Sequence, residues 1–261
     1  QRKADGKGIT LTPLNRKFRP DGIDYDFVTV EIDRAKRVAT ISIRATDAEP
    51  PKDMAGDAAQ GSRLWLFQLA RELDDAILDL RNNEFEIGTW VFKSSGDGAK
   101  VLAYDALLEA NKGHWLANEL RHFWKRVLKR IDVTSRSLVT QIEPGSCFAG
   151  TLAEIAFASD RAYMLIGQLE GDNHAPATVT LGPVNFGPYP MANGLTRLET
   201  RFYGEPDSVG KAQAAIGQTL DAEDAEKLGL VTYALDDIDW ADELRVFFEE
   251  RTSFSPDALT G

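Results

Sequence analysis

Cysteine, histidine and long apolar runs are scarce in this chain, and each scarcity removes a class of function. The single cysteine, Cys147, excludes an internal disulfide and fits a reducing compartment. The three histidines, His114, His122 and His174, have no metal-ligand spacing, so no metal site is expected. No apolar run reaches the roughly 20 residues that span a bilayer. The start, Gln1-Arg2-Lys3-Ala4-Asp5-Gly6, has no signal-peptide h-region. Positive charge is short as well: 30 Lys and Arg against 41 Asp and Glu leave a formal charge of −11. That balance argues against nucleic acid or an anionic membrane as a partner, while allowing a small anionic ligand held by local donors. The chain reads as a soluble cytoplasmic protein.

Hydrophobic residues make up 43% of the 261, enough for a sizeable core. Residues 1–24 carry Gly6, Gly8, Pro13, Pro20 and Gly22 among many charges, a linker-like composition, as though the chain were cut from something longer. Order is expected over residues 25–261. Val28, Val30 and Ile32, then Ala39, Ile41 and Ile43, alternate with polar residues around Asp33–Lys36 and predict a β-hairpin. A loop with Pro50-Pro51 and residues 56–61 follows. From Ser62, the expected N-cap, the period changes. Leu66, Leu69, Leu73, Ile77 and Leu80 predict one helix stripe, with Glu72, Asp75 and Asp79 facing water.

Thr89–Phe92 reads as a buried strand, residues 116–131 as a second long helix, and Ser137–Ile142 as another strand. A helix at 151–159, strands near 161–166 and 177–181, and a mostly helical end follow. In that end Asp221 can cap a short helix, and residues 240–250 are amphipathic. Strand, crossover helix, strand is the grammar of a layered, partly parallel sheet. The fold class is therefore α/β, one domain with a helical C-terminal part.

The most informative stretch is Ser137–Asp160, where a strand enters a glycine-punctuated turn and then a helix. The first turn of a helix leaves backbone N–H groups unpaired, and such groups can stabilise a developing oxyanion. Glu154-Ile155-Ala156 with Asp160 six residues after the Glu resembles the signature of the enoyl-CoA hydratase/isomerase (crotonase) superfamily. Val38–Ile41, Gly187 with Pro190, and Lys227–Val231 resemble its opening strand, its G-x-x-P segment and its GLV region. The resemblance covers nearly the whole chain from Val28 onward. It implies a crotonase-like layered sheet with crossover helices. Four further runs, Glu143–Thr151, Arg71–Leu78, Ile131–Leu138 and Asp236–Glu243, are similar to the C-terminal half of the benzoyl-CoA-dihydrodiol lyases. That crotonase-superfamily group opens the oxidised ring of a benzoyl-CoA thioester in aerobic benzoate breakdown.

The resemblance implies a residue set. Glu154 stands at the first catalytic glutamate, and the backbone at Gly150 and Thr151 stands at the oxyanion hole. The second carboxylate falls at Pro183, four residues before Gly187, where no proton transfer is possible; Glu170 takes that role only if an insertion is allowed. The second oxyanion donor falls in Val101–Asp105, which lacks the family's glycine and places Tyr104 where it would obstruct a thioester. The expected ligand is an acyl-CoA thioester, with no separate cofactor because CoA is part of the substrate. The expected partners are the N-terminal half of the parent enzyme and other copies of the chain. Three functions remain open: a structural and assembly domain of the lyase, an active acyl-CoA lyase or hydratase using Glu154, and a CoA-binding module without chemistry. Cys147 beside Ser146 reads as a buried thiol, since no His lies nearby and the turn is not G-x-S-x-G. Lys125, Arg126, Lys129 and Arg130 read as a solvated helix face.

Overall fold

The sheet begins earlier than composition suggests. The computed structural model describes residues 8–54, 61–255 and 258–259. In it β1 (Lys17–Arg19) and β2 (Gly22–Asp24) pair antiparallel, and β2 pairs with β3 (Val28–Asp33). Residues 17–24 are thus sheet rather than the linker expected for 1–24. Gly22, which counted toward a linker, is a close-approach glycine. A Cβ there would sit 2.1 Å from the carbonyl oxygen of Val30. Ile23 beside it is 2% exposed. Residues 8–16 form no strand or helix, residues 1–7 of that expectation lie outside the described residues, and so do residues 55–60 of the expected Gly-containing loop.

The predicted hairpin forms between β3 and β4 (Val38–Arg44), paired from Val28↔Ile43 to Asp33↔Val38. Four parallel strands follow beside β4: β5 (Thr89–Ser95), β6 (Ser137–Ile142), β7 (Arg161–Leu165) and, after a long excursion, β10 (Tyr233–Leu235). The large sheet therefore has the order β1-β2-β3-β4-β5-β6-β7-β10. The strands β8 (Val179–Thr180) and β9 (Thr219–Leu220) pair separately.

Crossover helices cover one face. Helix α1 (Trp65–Asn83) buries the predicted stripe, with Leu66, Leu69, Leu73, Ile77 and Leu80 all inaccessible. Two expectations fail at this helix. Leu64, not Ser62, is its N-cap; the Ser62 hydroxyl instead accepts a bond from the Thr12 amide. Glu72 is buried rather than solvated, because its carboxylate accepts bonds from the Phe27 amide at 2.7 Å and from the Gln68 side chain at 2.9 Å. Between β5 and β6 run two helices, α2 (Gly98–Ala110) and α3 (Trp115–Asp132). Asp97 caps α2 by accepting from the Ala99 amide, and His114 caps α3. Within α3 the fully buried Trp124 donates its indole N–H to the Leu66 carbonyl at 2.9 Å, tying α3 to α1.

Helix α4 (Gly150–Ala158) connects β6 to β7 and is buried over eight of its nine residues. Asp160, at its end, closes the unit. Its carboxylate accepts from the Leu138 amide and its own amide donates to the Leu138 carbonyl, both at 2.8 Å. The short helices α5 (Arg197–Arg201), α6 (Pro206–Ala214) and α7 (Ala222–Lys227) build the C-terminal third, with Asp221 capping α7 as expected. Helix α8 (Asp237–Thr252) returns to the opposite face of the sheet. There Trp240, Leu244 and Phe247 pack on Val139, Tyr163 and Leu165. The period-2 alternation of β6 and β7 thus feeds two cores, a large one under α1–α4 and a small one under α8.

Candidate functional site

The turn between β6 and α4 delivers the residues singled out from sequence. Gly145 adopts φ +78° within it. The N-cap of α4 is Ala149, which has no side-chain acceptor to offer the first-turn amides. The acceptor comes from another helix. Asp105 of α2 takes the Thr151 amide on Oδ2 at 2.8 Å and the Thr151 hydroxyl on Oδ1 at 2.5 Å. The Tyr189 hydroxyl lies 3.2 Å from the Thr151 hydroxyl and completes a buried polar triad. Gly150 makes this approach possible: its φ is +46°, and a Cβ there would lie 2.0 Å from Asp105 Oδ2.

Burial raises the Asp105 carboxyl to about 7; the two Thr151 bonds pull against that rise and nearby Glu154 adds to it. Burial likewise pushes the Tyr189 phenol well above its ordinary value.

Glu154 sits one turn further along α4 and is 1% exposed. Its two oxygens are both engaged: Oε1 accepts from the Asn185 side-chain Nδ2 at 2.7 Å, and Oε2 from Arg197 at 2.8 Å. The same guanidinium grips Asp132 with two bonds, at 2.9 and 2.7 Å, and donates to the Tyr189 carbonyl at 3.0 Å. The side chains of Arg197, Asp132 and Glu154 are 1%, 5% and 1% exposed. Burial raises the Glu154 and Asp132 carboxyls, and Arg197 opposes that rise in both. The result is one cation clamped between two carboxylates, with both oxygens of Glu154 committed.

A cavity of about 920 Å³ opens beside this cluster. Its walls are largely apolar, formed among others by Leu102, Leu181, Val184, Pro188 and Ile216. Glu109 and Arg121, paired at 3.5 Å, and Asp105 supply its charged groups. Pro183 and Gly187 also line it; Glu154 does not. The structure thus places Pro183 and Gly187 on the cavity lining, while Gly150, Thr151 and Glu154 are not among the residues that line it.

Residues 101–105 lie inside α2, where the amides are committed to i→i−4 bonds and none is free to serve as a second oxyanion donor. Tyr104 does not obstruct the cavity as expected. It turns away to meet Trp65 edge-on, with ring centroids 5.1 Å apart. Glu170 lies in a turn and is not among the residues that line the cavity.

Four residues of the cluster escaped the sequence reading: Asp105 as a cap, Asp132, Asn185 and Arg197. None has a local signature. The nearest signal is the capping box that Thr196 and Glu199 form at α5, which fixes the helix start that aims Arg197 inward.

The cysteine is the buried thiol it was read as. Cys147 is 1% exposed, and burial pushes its thiol up to about 11. Among the described residues no group of His, Cys, Asp and Glu is arranged to hold a metal ion, and no helix is long and apolar enough to cross a membrane. On the basic face, Arg130 pairs with Asp74 at 2.7 Å and Arg126 lies over Phe123.

Comparison with known proteins agrees with the architecture. No protein-family profile matches the chain. Benzoyl-CoA-dihydrodiol lyase of Aromatoleum evansii is 47% identical over 260 residues, covering 100% of this chain and 46% of that protein. The chain therefore spans about half the length of the curated relative, and it matches the C-terminal half. Among solved structures, Pseudomonas aeruginosa AtuE superposes with a TM-score of 0.60 at 16% identity, over 90% of this chain and 80% of that one. An enoyl-CoA hydratase from Bacillus halodurans gives 0.59 at 13% identity, over 90% and 84%. The fold is that of the crotonases.

Proposed function

We propose that this crotonase-fold chain is the C-terminal domain of a ring-cleaving acyl-CoA lyase similar to benzoyl-CoA-dihydrodiol lyase. In this reading it serves structure and assembly, while the chemistry belongs to the N-terminal half. The observation that carries the proposal is the state of Glu154. A general acid or base must reach the proton it moves, and Glu154 is 1% exposed, absent from the cavity lining, with both oxygens bonded. The supporting observations run the same way. Thr151 N–H, the amide that would serve an oxyanion, is taken by Asp105, and Pro183 stands where a second carboxylate would be needed. The buried Arg197 cluster joins α3, α4 and the start of α5, a role in holding the domain together.

Titration calorimetry of the chain with benzoyl-CoA, beside a turnover assay, tests this reading. The expected result is no turnover, and a Glu154→Gln variant that leaves any binding heat unchanged. Turnover that Glu154→Gln abolishes would sink the proposal.

One observation favours a second reading, a CoA-binding module without chemistry: the apolar cavity is large enough for an acyl group. Ala106 is an exposed residue on its lining. Binding that Ala106→Trp abolishes, without turnover, would establish that module.

A further inference from the structure

Helix α8 leaves part of the sheet face it covers open. A cleft of about 830 Å³ runs between it and strands β5 and β6, on the face away from α1–α4. Its α8 wall is apolar, made by Trp240, Ala241, Leu244 and Phe248. That volume falls within the roughly 300–1,000 Å³ of small-molecule pockets, which pair apolar walls with a few placed polar groups. Across the cleft stands Gln141 of β6, two residues beyond Val139 and therefore on the same face. Gln141 is 6% exposed, yet among the described residues nothing hydrogen-bonds to its carboxamide. Buried polar groups are as a rule paired. The Trp90 indole and the Ser137 hydroxyl are also unpaired, but they are sealed from any open space. The Gln141 side chain instead meets the cleft, with a donor and an acceptor both unused.

The charges on the lining are already matched. Lys93 meets Glu143 at 2.8 Å, Arg245 meets Glu249 at 3.0 Å, and Lys36 meets Asp33 at 3.6 Å. Among the described residues every cation of the lining thus faces an acid, and none is left over for an anionic ligand. What remains for recognition is one uncharged polar edge beside an apolar wall. A carboxamide answers the Gln141 side chain in full, giving an N–H to its oxygen and an oxygen to its N–H in a common plane. We infer that the cleft between α8 and β6 binds an uncharged amide carrying an apolar group, and that Gln141 is the residue that selects the amide. The cleft shares no lining residue with the cavity of about 920 Å³, so the inference is independent of what that cavity binds.

The experiment titrates the isotope-labelled full chain with benzamide and follows the side-chain amide signals of Gln141 by NMR. Acetophenone and benzoate, which keep the ring and replace the amide by a ketone or a charge, are titrated beside it. Benzamide should shift the Gln141 signals saturably. Its dissociation constant should lie about tenfold below those of the other two, the worth of one added hydrogen bond. Gln141→Leu, followed from the ligand signals, should bind benzamide and acetophenone alike; a retained preference for benzamide overturns the inference. If Gln141→Leu does not fold, Ala241→Trp decides. It sits at an exposed position on the lining, fills the cleft and should remove the shift. Ala106→Trp, which fills the other cavity, should leave the Gln141 shift in place. The inference is overturned by no saturable shift at Gln141, by equal affinity of the unaltered chain for the three compounds, or by a shift that survives Ala241→Trp or is lost in Ala106→Trp. The Gln141 amide is then merely hydrated.

Discussion

Gly150 and Asp105 share one volume: a Cβ on residue 150 would lie 2.0 Å from the Asp105 carboxylate, so the glycine and the cap of α4 require each other. Gly150→Ala must therefore expel Asp105 from the Thr151 amide and also hold a side chain at φ +46°. Left-handed strain in a non-glycine residue costs on the order of 1–3 kcal/mol, and an orphaned buried donor adds about 1–3 kcal/mol. Chemical denaturation should show a loss of about 2–6 kcal/mol, the two costs together. A loss below about 1 kcal/mol, the lower bound of either cost, would mean that Asp105 relocates freely and is not a structural cap.

Arg197 holds two buried carboxylates that have no equal substitute partner. Arg197→Met should destabilise by about 3–5 kcal/mol, since removing one member of a buried ion cluster leaves the others uncompensated. Glu154→Gln should cost less, because the bidentate Arg197–Asp132 pair survives it. In the double variant the costs should fall short of additivity, because a neutral amide at position 154 no longer needs the cation. Additive costs in a double-mutant cycle would show that Arg197 and Glu154 act independently.

The pH dependence follows from Asp105. Its ordinary value is 3.8 and its folded value about 7, so the folded state binds the proton more tightly. A carboxyl raised in this way contributes most to stability below its ordinary value. That contribution shrinks as pH climbs toward the folded value and is constant above it. Asp105→Asn cannot ionise and escapes the decline. Across that window the stability difference should move in favour of the variant by roughly 4 kcal/mol, at about 1.36 kcal/mol per pH unit. Denaturation curves for both proteins across the same range measure it directly, and parallel curves would count against a buried, titrating Asp105.

Cys147 should be silent toward thiol reagents in the native state. The residue is 1% exposed, its sulfur donates to the Ser95 carbonyl at 3.3 Å, and its thiol is raised to about 11. Modification should appear only as the chain unfolds, at the same denaturant concentration as the loss of near-UV signal. Fast labelling of native protein would show an opening of the β6–α4 turn.

Much of the fold was legible because its periods are local. The β3–β4 hairpin and the α1 stripe follow from apolar residues at steps of two and of three and four, and the β6–turn–α4 unit from a strand that enters a glycine-punctuated turn and then a helix. The start was misread for an equally local reason. Gly22 has the composition of a linker, and only the carbonyl of Val30 lying against it shows that the position demands glycine. Glu72 looked solvent-facing because it lies off the apolar stripe, until the Phe27 amide arrived from the approach to β3 to claim it.

What the sequence by itself determined was an α/β crotonase-like chain, the place of Glu154, Gly150 and Thr151 on one strand–turn–helix unit, and the absence of a proton-carrying side chain at Pro183. Only tertiary structure decided which partners those groups meet. Asp105 meets Thr151, Asn185 and Arg197 meet Glu154, and Asp132 meets Arg197 across 46, 31, 43 and 65 residues of chain. A hydrogen bond or ion pair depends on separation in space. A carboxylate that reads as a catalyst along the chain becomes, in the packed interior, one side of a buried clamp.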